Sequence, residues 1–168
     1  MDKSIALKIW NKLACHKVNF IAWRVIRNRL PVREELKKRC CIPLNSNLYY
    51  PLCKQGVENI SHLFFTCEYS YALWSDIIKW MGVFGPMPAD AIEHLMSFED
   101  YLEGGFGRVV AVGIWECTVW KIWSTRNDIV FGNGMWNTKK ILGEVKSYVW
   151  NWVVTKKKEK IKCLKSGE

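Results

Sequence analysis

The residues with the most chemical potential in this chain are Cys53, His62 and Cys67. They stand in the order Cys-x8-His-x4-Cys within YPLCKQGVENISHLFFTCEYSYALW, residues 50–74. Zinc binds thiolate and imidazole donors in a tetrahedron, and spacings this short let one loop and one helix start supply several of them. Three donors leave the shell one short. A residue just before Cys53, one of Cys40 and Cys41 upstream, or a water would complete it. His62, standing before Leu63-Phe64-Phe65, has a second reading as a satisfied core histidine. No other grouping is as well defined. Asp76, Asp90, Glu93, Glu99, Asp100 and Glu103 are scattered, with no paired-carboxylate pattern. No Ser-His-Asp or Cys-His arrangement stands out, and no glycine-rich phosphate loop follows a strand. The expectation is a chain without catalytic residues, in which Cys53, His62 and Cys67 are structural metal ligands.

The elements that must position these residues read as helices. Residues 5–14 form a short candidate and residues 18–30 a better one, with Val18, Ile21, Ala22, Val25 and Ile26 on one face at helical spacing. Phe20, Trp23, Arg24 and Arg27 fall on the opposite face. An all-round apolar helix is usually buried, while an aromatic–arginine face can also stack on bases. Leu30-Pro31 ends that segment. Residues 32–39 make a short charged helix, and 42–60 read as irregular structure. Residues 70–81 form a helix with Leu73, Trp74, Ile77, Ile78 and Met81 inward. Residues 82–107 carry Gly82, Gly85, Pro86, Pro88 and Gly104-Gly105, a connector with room for one helical turn around 89–96. The longest helix is expected at 108–130, with Lys121, Thr118 and Thr125 opposite an apolar arc. Phe131-Gly132-Asn133-Gly134 stops it. The last helix is expected at 138–155, capped by Asn137 or Thr138. The fold class is therefore all-α: a small helical domain with an irregular zinc-knuckle-like loop and a C-terminal Trp-rich helical hairpin. Its parts divide as 1–81, a connector 82–107, and a helical pair 108–160 packed on the first part.

Charge is unevenly spread. The formal total is +9 over 168 residues, with 25 Lys+Arg against 16 Asp+Glu. Residues 1–39 carry net +8, residues 40–138 net −5 and residues 139–168 net +6. Basic ends favour polyanions through phosphate contacts and counterion release. The candidate contacts are Arg24, Arg27, Lys37, Lys38 and Arg39, with Lys156, Lys157 and Lys158 as a second patch, for RNA or single-stranded DNA. The bland alternatives are a solvated surface, or ends that pack on the acidic middle. Seven Cys is an odd count, and no basic stretch followed by an apolar run marks a secretion signal. The longest apolar run, 109–115, is too short to cross a bilayer. An intracellular protein, nuclear or cytoplasmic, with thiols rather than disulfides is expected.

Taken together, IALKIWNKL, HKVNFIAWRVIRNRLPVREELKKR, YPLC and ENISHLFFTCEYSYALW resemble the reverse-transcriptase zinc-binding domain of plant LINE-type (non-LTR) retrotransposons. VGIWECTVWKIWSTRNDIVF and EVKSYVWNW extend the resemblance, so it runs from about residue 5 to about residue 154. HLFF with Cys67 and Trp74, and WSTRNDIVF, are its most specific parts. The family's motif is Cys-x2-Cys, a gap, then His-x4-Cys, and it falls on Tyr50, Cys53, His62 and Cys67. This sequence departs from it at Tyr50, where a neutral phenol, a poor zinc ligand, replaces a thiolate. The resemblance implies a non-enzymatic, retroelement-derived binding module with a degenerate zinc knuckle. The alternative is a domesticated protein–protein interaction module that docks through its Trp-rich helices.

Overall fold

A computed structural model describes residues 7–10 and 13–165, and side chains among them as far as residue 159. Residues 7–9 are helical. Then follow α1 (His16–Ile26), α2 (Arg33–Lys38), a π-helical turn (His62–Thr66), α3 (Glu68–Met81), α4 (Ala91–Asp100), α5 (Gly104–Phe131) and α6 (Thr138–Lys165). No strand occurs among the described residues, and the loop before the π-helical turn holds one isolated antiparallel bridge, Tyr49 to Val57. The protein is all-α, as expected.

α1 buries Val18, Ala22, Val25 and Ile26, the expected stripe. It ends four residues earlier than the apolar pattern suggests, because Asn28 takes a left-handed φ of 50° that no α-helix accommodates. The opposite face is not buried as an all-round apolar helix would be. Phe20 is 46% exposed and Trp23 half-buried.

α5 is the axle of the fold, packed against α1, α4 and α6. Residues 111–119 are all buried, so the expected polar side does not exist there. Thr118 lies in the core and satisfies its hydroxyl by donating to the Ile114 carbonyl at 2.8 Å. Each large apolar side chain on α5 buried this way contributes about 1.5–3 kcal/mol. That is why one helix can organise the others.

Residues 82–107 hold more structure than one turn. α4 starts at Asp90, whose carboxylate accepts the backbone N–H groups of Ile92 and Glu93, and it buries Ala91, Leu95 and Phe98. Of the Gly and Pro residues before it, Gly82 ends α3: it adopts φ 69° as a left-handed C-cap, a conformation glycine takes without strain. α6 is also longer than expected. Asn137 caps it by accepting the Lys140 N–H at 3.0 Å, and the helix continues through Lys156, Lys157 and Lys158 instead of stopping before them. Of the expected first helix, residues 5–6 and 11–12 lie outside the described residues. No helix among the described residues is long and apolar enough to cross a membrane.

Candidate metal centre

The loop before Cys53 folds back on itself. Tyr50 N–H donates to the Gly56 carbonyl at 2.9 Å, Lys54 N–H to the Tyr50 carbonyl at 2.9 Å, and Glu58 N–H to the Leu48 carbonyl at 2.8 Å. This tight turn brings Cys53 toward the helical segment that follows. Gly56 lies flat against the His62 ring: a Cβ there would stand 2.8 Å from His62 Cε1 and 3.0 Å from both ring nitrogens. Only a residue without a side chain lets the loop approach that ring.

His62 and Cys67 are set by the π-helical turn. The Cys67 N–H donates to the His62 carbonyl at 2.9 Å, a five-residue bond that places the two one wide turn apart. The Asn59 side chain receives the His62 N–H at 2.8 Å and starts the turn. Carbonyls freed by the widened winding find side-chain donors: Ser70 Oγ donates to Leu63 at 2.6 Å and Trp74 Nε1 to Phe64 at 2.7 Å. Cys67 then sits at the N-cap of α3.

One donor atom from each of Cys53, His62 and Cys67 lies within 4.8 Å of the others. Cys53 Sγ is 3.1 Å from His62 Nε2. Burial lowers the His62 pKa, which keeps the imidazole neutral and its lone pair available. Burial pushes the Cys67 thiol up to about 11, while the Tyr69 and Ser70 backbone amides pull the other way. Two sulfurs and one imidazole nitrogen are a donor set zinc takes, and closing from 4.8 Å to the about 4 Å between ligands of one shell needs only a small side-chain movement. Bound there, zinc would tie the 50–58 loop to the start of α3.

Tyr50 is fully buried beside this cluster. Its ring meets the His62 ring edge-on at 6.3 Å, and its hydroxyl has no hydrogen-bond partner among the described residues. Burial, followed by the charges of Cys67 and Glu58, raises its pKa against the opposing pull of Arg126. The phenol therefore stays neutral, and three donors are grouped among the described residues. Cys40 and Cys41 are exposed and fall outside the group of clustered donors among the described residues.

Sequence reasoning missed the pair that anchors the loop to the rest of the fold. Glu58 is fully buried and Arg126 is 3% exposed. Arg126 Nη2 donates to Glu58 Oε1 at 2.5 Å and Nε to Oε2 at 3.2 Å. Glu58 also receives the Arg33 N–H on Oε1 at 3.1 Å, while its carbonyl receives the Glu34 N–H at 3.1 Å. One carboxylate thus fixes the start of α2, the knuckle loop and the last turns of α5. The signal in the sequence was Arg126-Asn127 within WSTRNDIVF, whose partner nothing local identified.

The candidate nucleic-acid contacts are dispersed over the surface. Arg24 donates from Nε and Nη2 to the Arg29 carbonyl at 3.1 and 2.7 Å, and its guanidinium lies over Phe20 at 5.7 Å. Arg27 lies over Trp23 at 5.5 Å. Lys38 pairs with Glu35 at 2.9 Å and Glu34 at 3.4 Å, and Arg39 with Glu35 at 3.5 Å. Lys37 is half-buried on α2. Lys156 pairs with Glu159 at 2.9 Å, whereas Lys157 and Lys158 are exposed on α6.

Residues 2–74 match the family described as zinc-binding in reverse transcriptase. The match spans the whole cluster and ends at Trp74, inside α3. No curated protein and no solved structure matches the chain.

Proposed function

We propose that this chain is a non-enzymatic, retroelement-derived binding module, of the kind found in plant LINE-type elements, that contacts nucleic acid inside the cell through its basic segments. The family match over residues 2–74 and the Cys53, His62 and Cys67 cluster support the zinc-knuckle part of this reading. The observation that carries the nucleic-acid part is α1. That helix and its C-cap residue hold Lys17, Arg24 and Arg27 and no acidic residue. Lys38, Arg39 and Lys156 sit in exposed ion pairs, which are weak and screened by salt, so a phosphate can compete for these cations. The role of the metal site here is structural: Cys53, His62 and Cys67 hold the loop that buries Glu58 beneath α2.

A second reading, docking of a partner protein on the Trp-rich helices, is favoured by an open apolar groove of about 720 Å³ whose walls include Trp80, Phe106, Val110 and Trp150. Salt separates the two. Association with single-stranded RNA or DNA should be on the order of micromolar or weaker at physiological salt and should weaken steeply as salt rises. Reversing the charges of Arg24, Arg27 and Lys37 should weaken it further. No salt-sensitive association with either nucleic acid at low ionic strength would remove the first reading and leave the second.

A further inference from the structure

The cations and aromatic rings of α1 do not stand alone. Lys17, Phe20, Arg24 and Arg27 recur at three- and four-residue intervals and so share one stripe. Phe20 and Trp23 are near-parallel, their ring centres 6.4 Å apart. Lys17 carries the stripe onto the neighbouring helix, because its ammonium lies over the Trp120 ring of α5 at 5.7 Å. Lys121 lies over the same ring at 5.3 Å. Trp120 in turn meets Tyr148 of α6 at 5.1 Å, and Tyr148 meets Trp152 at 6.2 Å. A continuous run of ring and cation thus crosses three helices, with α5 in the middle.

Resting on the nucleic-acid reading above, we propose that this run is the binding track, and that its ligand is single-stranded nucleic acid. Phe20, Trp23, Tyr148 and Trp152 offer base-stacking faces. Arg24, Arg27 and Lys17 meet the phosphates between them. Two observations select this ligand. Phe20 and Tyr148 keep 46% and 40% of their surface exposed. A duplex hides its base faces within its own stack, so rings open to solvent suit the unpaired bases of a single strand. Lys17 makes no ion pair among the described residues, and Lys121 of the same run pairs with Glu144. The track draws on α5 and α6, which lie beyond the matched segment 2–74.

The test is fluorescence anisotropy with labelled 12-nucleotide oligo-U and oligo-dT, and a duplex of the same length, at several salt concentrations. The full chain is compared with Phe20→Ala, Tyr148→Ala, Tyr148→Phe and Lys17→Glu, each melted thermally to confirm its fold. Each ring-to-Ala change should weaken single-strand binding by about fivefold or more while leaving the salt dependence unaltered, since phosphate contacts survive. Tyr148→Phe should bind like the parent. Lys17→Glu should flatten the salt dependence. Should oligo-dT bind like oligo-U, the track reads rings and phosphates alone; a preference for oligo-U would add recognition of the ribose, and either supports the track. Single-strand binding that charge reversal weakens but ring removal leaves intact overturns the track and spares the broader reading. Equal affinity for the duplex also overturns the track. No binding to either oligonucleotide at low salt overturns both.

Discussion

The Glu58 carboxylate and the Arg126 guanidinium, 68 residues apart in the chain, form a two-point ion pair closed off from solvent. Arg126 also lies over the Trp123 ring at 5.1 Å and donates to Asn127 Oδ1 at 3.1 Å, so its side chain is held on several sides. Removing one member strands a charge in the core. Arg126→Met should cost about 3–5 kcal/mol of stability. Glu58→Gln combined with Arg126→Met should cost less than Arg126→Met alone, because the neutral amide keeps an acceptor for the Arg33 N–H and no bare charge remains. Urea denaturation of the three proteins checks this. A double variant less stable than Arg126→Met would show that the pair matters for packing rather than for charge balance.

At the metal cluster three donors are grouped among the described residues, and the neutral phenol of Tyr50 lies beside them where a thiolate would complete a tetrahedral shell. Wild-type protein should therefore bind zinc weakly, and Tyr50→Cys should tighten binding by at least about 100-fold. Cys67→Ser should abolish it. Metal content after dialysis against a chelator, followed by competition titration, reads both effects. The tightened variant should also melt higher with zinc, by about 2.7 kcal/mol of stability at 100 times its Kd. Zinc retained by the wild type as firmly as by Tyr50→Cys would show that a fourth ligand is already present.

Gly56 tests how the loop sets His62. Its backbone dihedrals are not the reason for a glycine here; the reason is the 2.8 Å that a Cβ would leave to the imidazole. Gly56→Ala should push His62 away from Cys53 Sγ. In the Tyr50→Cys background it should lower zinc affinity by about 10–100-fold, as loss of a ligand's support does elsewhere. Stability without metal should fall by about 1–3 kcal/mol. The charge-transfer band of a cobalt-substituted protein follows the affinity. An unchanged band and affinity would mean that the ring simply rotates aside.

What the sequence made legible was local. Cys53, His62 and Cys67 were found because their spacing is short and their donor chemistry specific, and the structure brings them within 4.8 Å. The helices at 16–26, 68–81 and 138–165 followed from apolar periodicity. Helix α4 was read as one helical turn around 89–96 because glycines and prolines on both sides dominated the reading of a ten-residue element whose inward residues are only Ala91, His94, Leu95 and Phe98. Thr118 was assigned to solvent because polarity stood in for position, and a helix buried all round offers no outer face. Glu58 and Arg126 were out of reach for a different reason. An ion pair across 68 residues leaves no trace in periodicity, and each charge alone reads as surface.

His94 belongs to the same class of hidden residue, and it makes the fold sensitive to acid. It is 1% exposed, among the rings of Phe65 at 4.7 Å, Trp74 at 4.6 Å and Phe98 at 5.3 Å. Trp115 Nε1 donates to its Nδ1 at 3.0 Å, which requires that nitrogen to be unprotonated. The proton of the neutral ring is then on Nε2, buried with no hydrogen-bond partner among the described residues. Burial holds the pKa down to about 4, against about 6.5 in the unfolded chain. Between those values the unfolded chain takes up the proton and the folded one does not. The contribution is therefore fully present above pH ~6.5 and drains away as pH falls toward ~4, by about 3 kcal/mol in all. His94→Asn keeps an acceptor near Nδ1 and cannot be protonated in this range. It should be less stable than the parent at pH 7, because it leaves a cavity, yet lose less between pH 7 and pH 4.5. Urea midpoints at the two pH values decide it: equal losses in parent and variant would place the acid sensitivity on the carboxylates instead.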